Sequence, residues 1–182
     1  MQPVDRIARA YDGQTILWHW LTAALVVEQW LGAQVIDDFT GDGRIAARSV
    51  HIVLGVTLAL VLLRRVWWRA TGGRRLTPTD SRPLEVIAKA THWGLYVLVA
   101  ATVVLGLANV WVRGDSIFGL FTIPSIAPGD RALRRLVNGW HGLAANAVLV
   151  VAGVHACAAL GHYFVLRDGV LTRMVPQLRP RA

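Results

Sequence analysis

Residues 138–166 read NGWHGLAANAVLVVAGVHACAALGHYFVL. The run exceeds the roughly 20 apolar residues that a bilayer-spanning helix needs. It also carries three histidines, His141, His155 and His162. At about 100° per residue, the 14 steps from His141 to His155 bring the side chain back to within about 40° of the same face. At about 1.5 Å rise per residue the two lie roughly 21 Å apart along the axis. One imidazole therefore sits near each surface of a membrane, both pointing the same way. Ionisable residues inside a span are costly and point to function. Paired imidazoles at two depths fit a stack of two haems.

Working outward, three more apolar runs precede this one, at about 15–36, 50–68 and 84–112. The chain of 182 residues is 54% hydrophobic, with a mean hydropathy of +0.45 and its apolar residues gathered in runs. That composition excludes an ordinary soluble domain. The expected fold class is all-α, a single integral membrane four-helix bundle over 1–182 with two b-type haems in its core. The net charge of +8 does not indicate nucleic acid, because the arginines cluster at the ends of apolar runs. The single cysteine, Cys157, excludes a disulfide framework. Without a Cys-x-x-Cys-His sequence there is no covalent haem attachment. The first run is too long for a signal-peptide core and no small-residue cleavage pattern follows it, so it reads as a retained span.

Between the runs lie DDFTGDGRIAARS (37–49), expected to break the helix, and RATGGRRLTPTDSRP (69–83), a turn-rich connector. The third connector is the longest. Its apolar piece Ile117 to Ile126 is too short to span and is expected at the interface. Four spans put both termini on one side. Thirteen Lys and Arg fall on that side, including Arg6, Arg9, Arg179 and Arg181, against six on the other. The positive-inside rule then predicts cytoplasmic termini.

That topology sorts the histidines by depth. His51 and His141 are at the outer level; His19, His92, His155 and His162 are at the inner one. An outer haem would be ligated by His51 and His141. At the inner level His155 is the better span-four ligand, because His162 lies about 10 Å nearer the water. Its partner is His19 or His92. Spacing favours His19 but does not exclude the other. Axial histidines on both faces leave no open iron position, so the expected chemistry is electron transfer. The bland alternative for these four is interhelical hydrogen bonding. His92 and His162 suit either an interfacial place or contact with a quinone or a haem propionate. The eight tryptophans mostly flank span ends, as belt anchors do. Glu28, the one acid well inside a span, lies about 180° from His19. It reads as a proton relay or as a paired or hydrated acid. Arg113, with Asn109 and Trp111, closes span three at the outer end. Arg131, Arg134 and Arg135 shortly precede His141, and this positive patch is either a solvated helix start or a means of drawing in an anion.

Several local patterns together resemble a known family. They are His19-Trp20, His51, His92-x-x-x-Tyr96, Arg113-Gly114, Phe118-Gly119, Pro124, Trp140-His141, His162-Tyr163-Phe164, Arg167-Asp168 and Leu171-x-Arg173-Met174. Over nearly its whole length the chain resembles the bacterial cytochrome b561 family, and most closely its short four-span members of the superoxide oxidase type. The resemblance implies two b-type haems, one held by His19 with His155 and the other by His51 with His141. It also implies electron transfer from superoxide to ubiquinone with release of oxygen. Other members serve as cytochrome subunits of hydrogenases or dehydrogenases, so an electron-relay or anchor role beside a redox partner is the alternative. A haem-free membrane scaffold is the third.

Overall fold

A computed structural model of the chain describes residues 10–76 and 82–178. Arg6, Arg9, Arg179 and Arg181 of the charge comparison lie outside the described residues. Four long helices dominate: α1 (Gly13–Val35), α2 (Gly41–Thr71), α3 (Arg82–Arg113) and α4 (Arg131–Gly161). Neighbours in sequence pack together, and α1 also touches α4, so the four close into a bundle. The described part of the all-α expectation carries one exception, a small antiparallel hairpin of β1 (Ser116–Ile117) and β2 (Phe121–Thr122).

Several helix ends have a local cause. Asp12 caps α1, accepting hydrogen bonds from the Thr15 amide at 2.9 Å and its hydroxyl at 2.7 Å. Asp130 caps α4 by accepting from the Leu133 amide. The break between α1 and α2 is narrower than the 37–49 segment suggested. A 3-10 turn covers Ile36–Asp38, and α2 already begins at Gly41. Asp42 in its first turn complements the helix dipole, and Ser49 is wholly buried, which holds this segment helical. α3 ends at Gly114, whose φ of +70° an L side chain rarely adopts. α4 runs on into a π-helical turn, His162–Leu166.

The segment expected at the interface comprises the hairpin and residues 123–126 beyond it. Most of its apolar side chains are exposed, Leu120 at 82% and Ile126 at 71%. Ser49 moors it to α2, its hydroxyl accepting from the Phe118 amide at 2.8 Å.

The bundle is apolar on its outside. Leu60, Val97, Val104 and Val150 are among many large apolar side chains left exposed, as lipid-facing surfaces require. Among the described residues three helical stretches are long and apolar enough to cross a membrane: Gly41–Thr71, Pro83–Arg113 and Arg131–Leu166. α1 is not among them, because His19, Glu28, Gln29 and three tryptophans dilute its run. Inside, Leu58 and Leu62 of α2, Val99 of α3 and Val148 of α4 form the core, with Leu25 and Val26 of α1 packed against it. Val148 lies seven residues from both His141 and His155. The apolar core is thus a layer between two histidine levels.

Candidate functional site

The histidines of four helices meet in two places. At the end away from the termini, His51 of α2 faces His141 of α4, with ring centroids 6.3 Å apart and planes at 87°. At the end carrying the termini, His19 of α1 faces His155 of α4, again at 6.3 Å and with planes at 70°. A metal–imidazole bond is about 2 Å long, and a ring nitrogen lies roughly 1.1 Å from its ring centre, so two imidazoles on opposite sides of one ion hold their centroids about 6.2 Å apart. Both pairs match that spacing. His92 of α3 lies nearer to His155, at 5.2 Å, too close for an ion held between two opposed rings.

Among the described residues no group of three or more His, Cys, Asp or Glu side chains could hold a bare metal ion. Two imidazoles alone suit an ion that brings its other ligands with it, which is what iron in a porphyrin does. The residues present fit a b-type haem at each level.

The ring of His141 is prepared for such a bond. Its Nδ1 lies 3.0 Å from the Thr102 carbonyl, which can only accept, so Nδ1 carries the proton and Nε2 keeps its lone pair. α3 can approach this closely because residue 106 is glycine. A Cβ there would meet Cε1 of His141 at 3.0 Å. His51 is set by its own backbone, whose carbonyl accepts from Gln29 Nε2 at 3.0 Å, while its Nδ1 is buried without a hydrogen-bond partner among the described residues. Gly55 makes room for that Gln29 amide, since a Cβ would lie 2.9 Å from Nε2. Further interhelical bonds at this level run from Trp30 to Asn146 and from Asn109 to Asn138.

The other candidate residues occupy varied positions. Arg113 pairs with Asp115 at 3.5 Å, and Arg48 joins the same carboxylate at 3.3 Å. Arg134 stands half-buried at the start of α4 with its Nε unpartnered among the described residues, whereas Arg131 and Arg135 are exposed. His162 is hydrogen-bonded to Asp168 in the π turn. Glu28 is exposed on the outer face of α1, in a shallow groove beside Trp20, Val27 and Leu31. Sequence reasoning missed Thr102, Gly106 and Gln29, which orient the histidines. It also gave Arg48 no part in the site, although Arg48 precedes His51 by one helical turn and its place in the bundle followed from that.

At the end carrying the termini, Asp12 ties α1 to α2. Besides Thr15 it accepts from Trp68 Nε1 and from the Arg74 amide, each at 2.9 Å. Partial burial pushes its carboxyl up, but these hydrogen bonds outweigh that and hold it well below the usual carboxylate range.

Residues 10–177 match the family described as prokaryotic cytochrome b561. The chain is 29% identical over 164 residues to a Yersinia pestis protein named "Probable superoxide oxidase CybB", covering 88% of this chain and 93% of that one. It is 29% identical over 163 residues to Escherichia coli K12 "Cytochrome b561 homolog 2", covering 87% of each. It is 27% identical over 177 residues to "Cytochrome b562" of Cereibacter sphaeroides, covering 94% of this chain and 96% of that one.

Proposed function

The chain belongs to the prokaryotic cytochrome b561 family, an integral membrane electron-transfer protein of b-type haem, and from that premise we propose a four-span, di-haem oxidoreductase acting between superoxide and ubiquinone. His51 and His141 would hold one haem, and His19 and His155 the other. The observation that carries this is the repeated 6.3 Å ring spacing at two levels of one bundle. Haem held by these histidines would supply a one-electron iron couple, which suits electron transfer.

The chain's own residues do the rest. The Thr102 carbonyl and the bare Cα of Gly106 keep Nε2 of His141 turned to its partner. The layer of Leu58, Leu62, Val99 and Val148 keeps water from between the two levels. At the far end Arg113 and Arg134, with Arg48 beside them, present positive charge near the His51–His141 pair, and exposed Arg131 and Arg135 extend it. Such a patch draws in an anion faster than diffusion alone. The overall balance is two superoxide ions, one quinone and two protons giving two dioxygen and one quinol. α1 is the first of the four spans in this reading, since Leu17, Val27, Leu31 and Val35 bare an apolar face as the other helices do. The excess of Lys and Arg at the end carrying the termini supports cytoplasmic termini in a bacterial inner membrane. His92, beside His155, and His162 are candidate contacts for quinone or for a haem propionate.

The superoxide reading takes its support from the name of the Yersinia relative. Stopped-flow mixing of the oxidised protein with superoxide tests it. The expected result is haem reduction together with superoxide loss faster than spontaneous dismutation. Haem that stays oxidised while superoxide decays at its unassisted rate contradicts it. A second reading is an electron-relay or anchor subunit for a dehydrogenase or hydrogenase, and it accords with relatives whose names give a cytochrome and no substrate. Co-purification of a stoichiometric redox partner would support that one.

A further inference from the structure

Arg65 occupies on α2 the place that His155 occupies on α4. It follows His51 by 14 residues, as His155 follows His141, so α2 turns His51 to one level and Arg65 to the other. Nη2 of Arg65 lies 3.0 Å from Nδ1 of His19, and its Cζ stands 5.1 Å from the centre of the Tyr96 ring. Among the described residues no carboxylate comes within ion-pairing distance of it.

The contact with His19 cannot coexist with a metal on that ring. A guanidinium only donates hydrogen bonds, so Nδ1 of His19 must accept. In a neutral imidazole the proton then sits on Nε2, and neither nitrogen keeps a free lone pair. For His19 to hold a haem iron, Arg65 would have to let go. A cation released at that depth costs several kcal/mol unless an anion meets it. His19, Tyr96 and the nearby His92 and His155 supply none.

We propose that Arg65 forms a carboxylate site at the His19–His155 level, and that the carboxylate is a propionate of the haem held there. The His19 contact is the one Arg65 makes when that carboxylate is absent. Arg65 is thus a positioning residue, releasing His19 for ligation as it takes the propionate. This rests on the assignment of His19 and His155 as a ligand pair.

Competition between haem and its dimethyl ester, which lacks free carboxylates, tests the idea. Apoprotein is loaded from an equal mixture, and the porphyrins retained are counted by mass spectrometry. The wild-type chain should favour haem at least tenfold at one of its two sites. Arg65→Gln should remove that preference and Arg65→Lys should keep most of it. With haem alone, Arg65→Gln should lower the potential of one haem and leave the other unchanged. A tenfold change in the reduced-to-oxidised ratio corresponds to about 59 mV for one electron. Equal retention of ester and haem by the wild-type chain overturns the proposal, and that arm needs no substitution. A preference that survives in Arg65→Gln also overturns it, and assigns Arg65 to another anion such as a lipid headgroup. Failure of the ligand assignment itself shows elsewhere: His19→Ala and His155→Ala would then keep both haems whatever Arg65 does.

Discussion

Position 106 lacks a side chain, and the ring of His141 fills the space. A methyl group there would meet the imidazole at 3.0 Å, so either the ring tilts or α3 moves off α4. Overpacking of this kind costs about 1–3 kcal/mol. Gly106→Ala should therefore lower haem content toward one per chain while helix content, read by circular dichroism, stays the same. Asp12 offers a second single-residue test. Its folded carboxyl is held below the ordinary value of about 3.9, so its stabilisation is present above that pH and fades as pH falls through the lowered folded value. Asp12→Ala should cost about 1 kcal/mol at neutral pH, as a lost cap does. The gap between the melting temperatures of the two proteins should narrow as the solution is acidified below about pH 4. The sequence made the histidines legible because their spacing is a property of one helix. Thr102 and Gly106 were not legible, because a backbone carbonyl and an absent side chain leave no pattern until α3 is docked on α4.

Among the elements, α4 has an apolar run and a histidine interval that follow the same period from residue 138 on, while its helix starts earlier, at Arg131. α2 was readable only from residue 50 onward. Its first turns are polar, and what makes them helical is tertiary: Ser49 buries its hydroxyl between Ile45, Ser116 and the Phe118 amide. The hairpin after α3 was foreseen as an interfacial segment but not as strands, because two-residue strands have no periodicity to detect. Ser49→Ala should free the hairpin, since a buried amide left unpaired costs about 1–3 kcal/mol. Faster amide hydrogen exchange at Phe118, with exchange in α4 unchanged, is the expected sign. α1 is the element where composition and packing disagree. Its polar residues spoil its hydropathy, yet Gln29 and Trp30 turn inward to bind α2 and α4 while Leu17, Val27 and Leu31 face outward.

At the scale of the whole molecule, charge and apolar surface divide along the bundle axis. Arginine gathers at both ends, tryptophan flanks them, and the middle is apolar outside and in. At the end carrying the termini Arg64 lies against Trp67, 4.4 Å from the ring centre, and also near Trp18 and Trp68. At the far end Asp115 gathers Arg48 and Arg113 beneath the hairpin. If that patch draws in an anion, Arg134→Gln should slow superoxide-driven haem reduction several-fold at low ionic strength. The difference from the unaltered protein should shrink as salt is added, because screening beyond about 10 Å sets in near 0.1 M.

The ratio of haem to protein in purified single variants bears most directly on the whole account. Two haems per unaltered chain are predicted, and His92→Ala and His162→Ala should keep both. His51→Ala and His141→Ala should each retain only the haem of the His19–His155 pair, and His19→Ala and His155→Ala only that of the other. One haem in the unaltered protein, or two in all four variants, would contradict it.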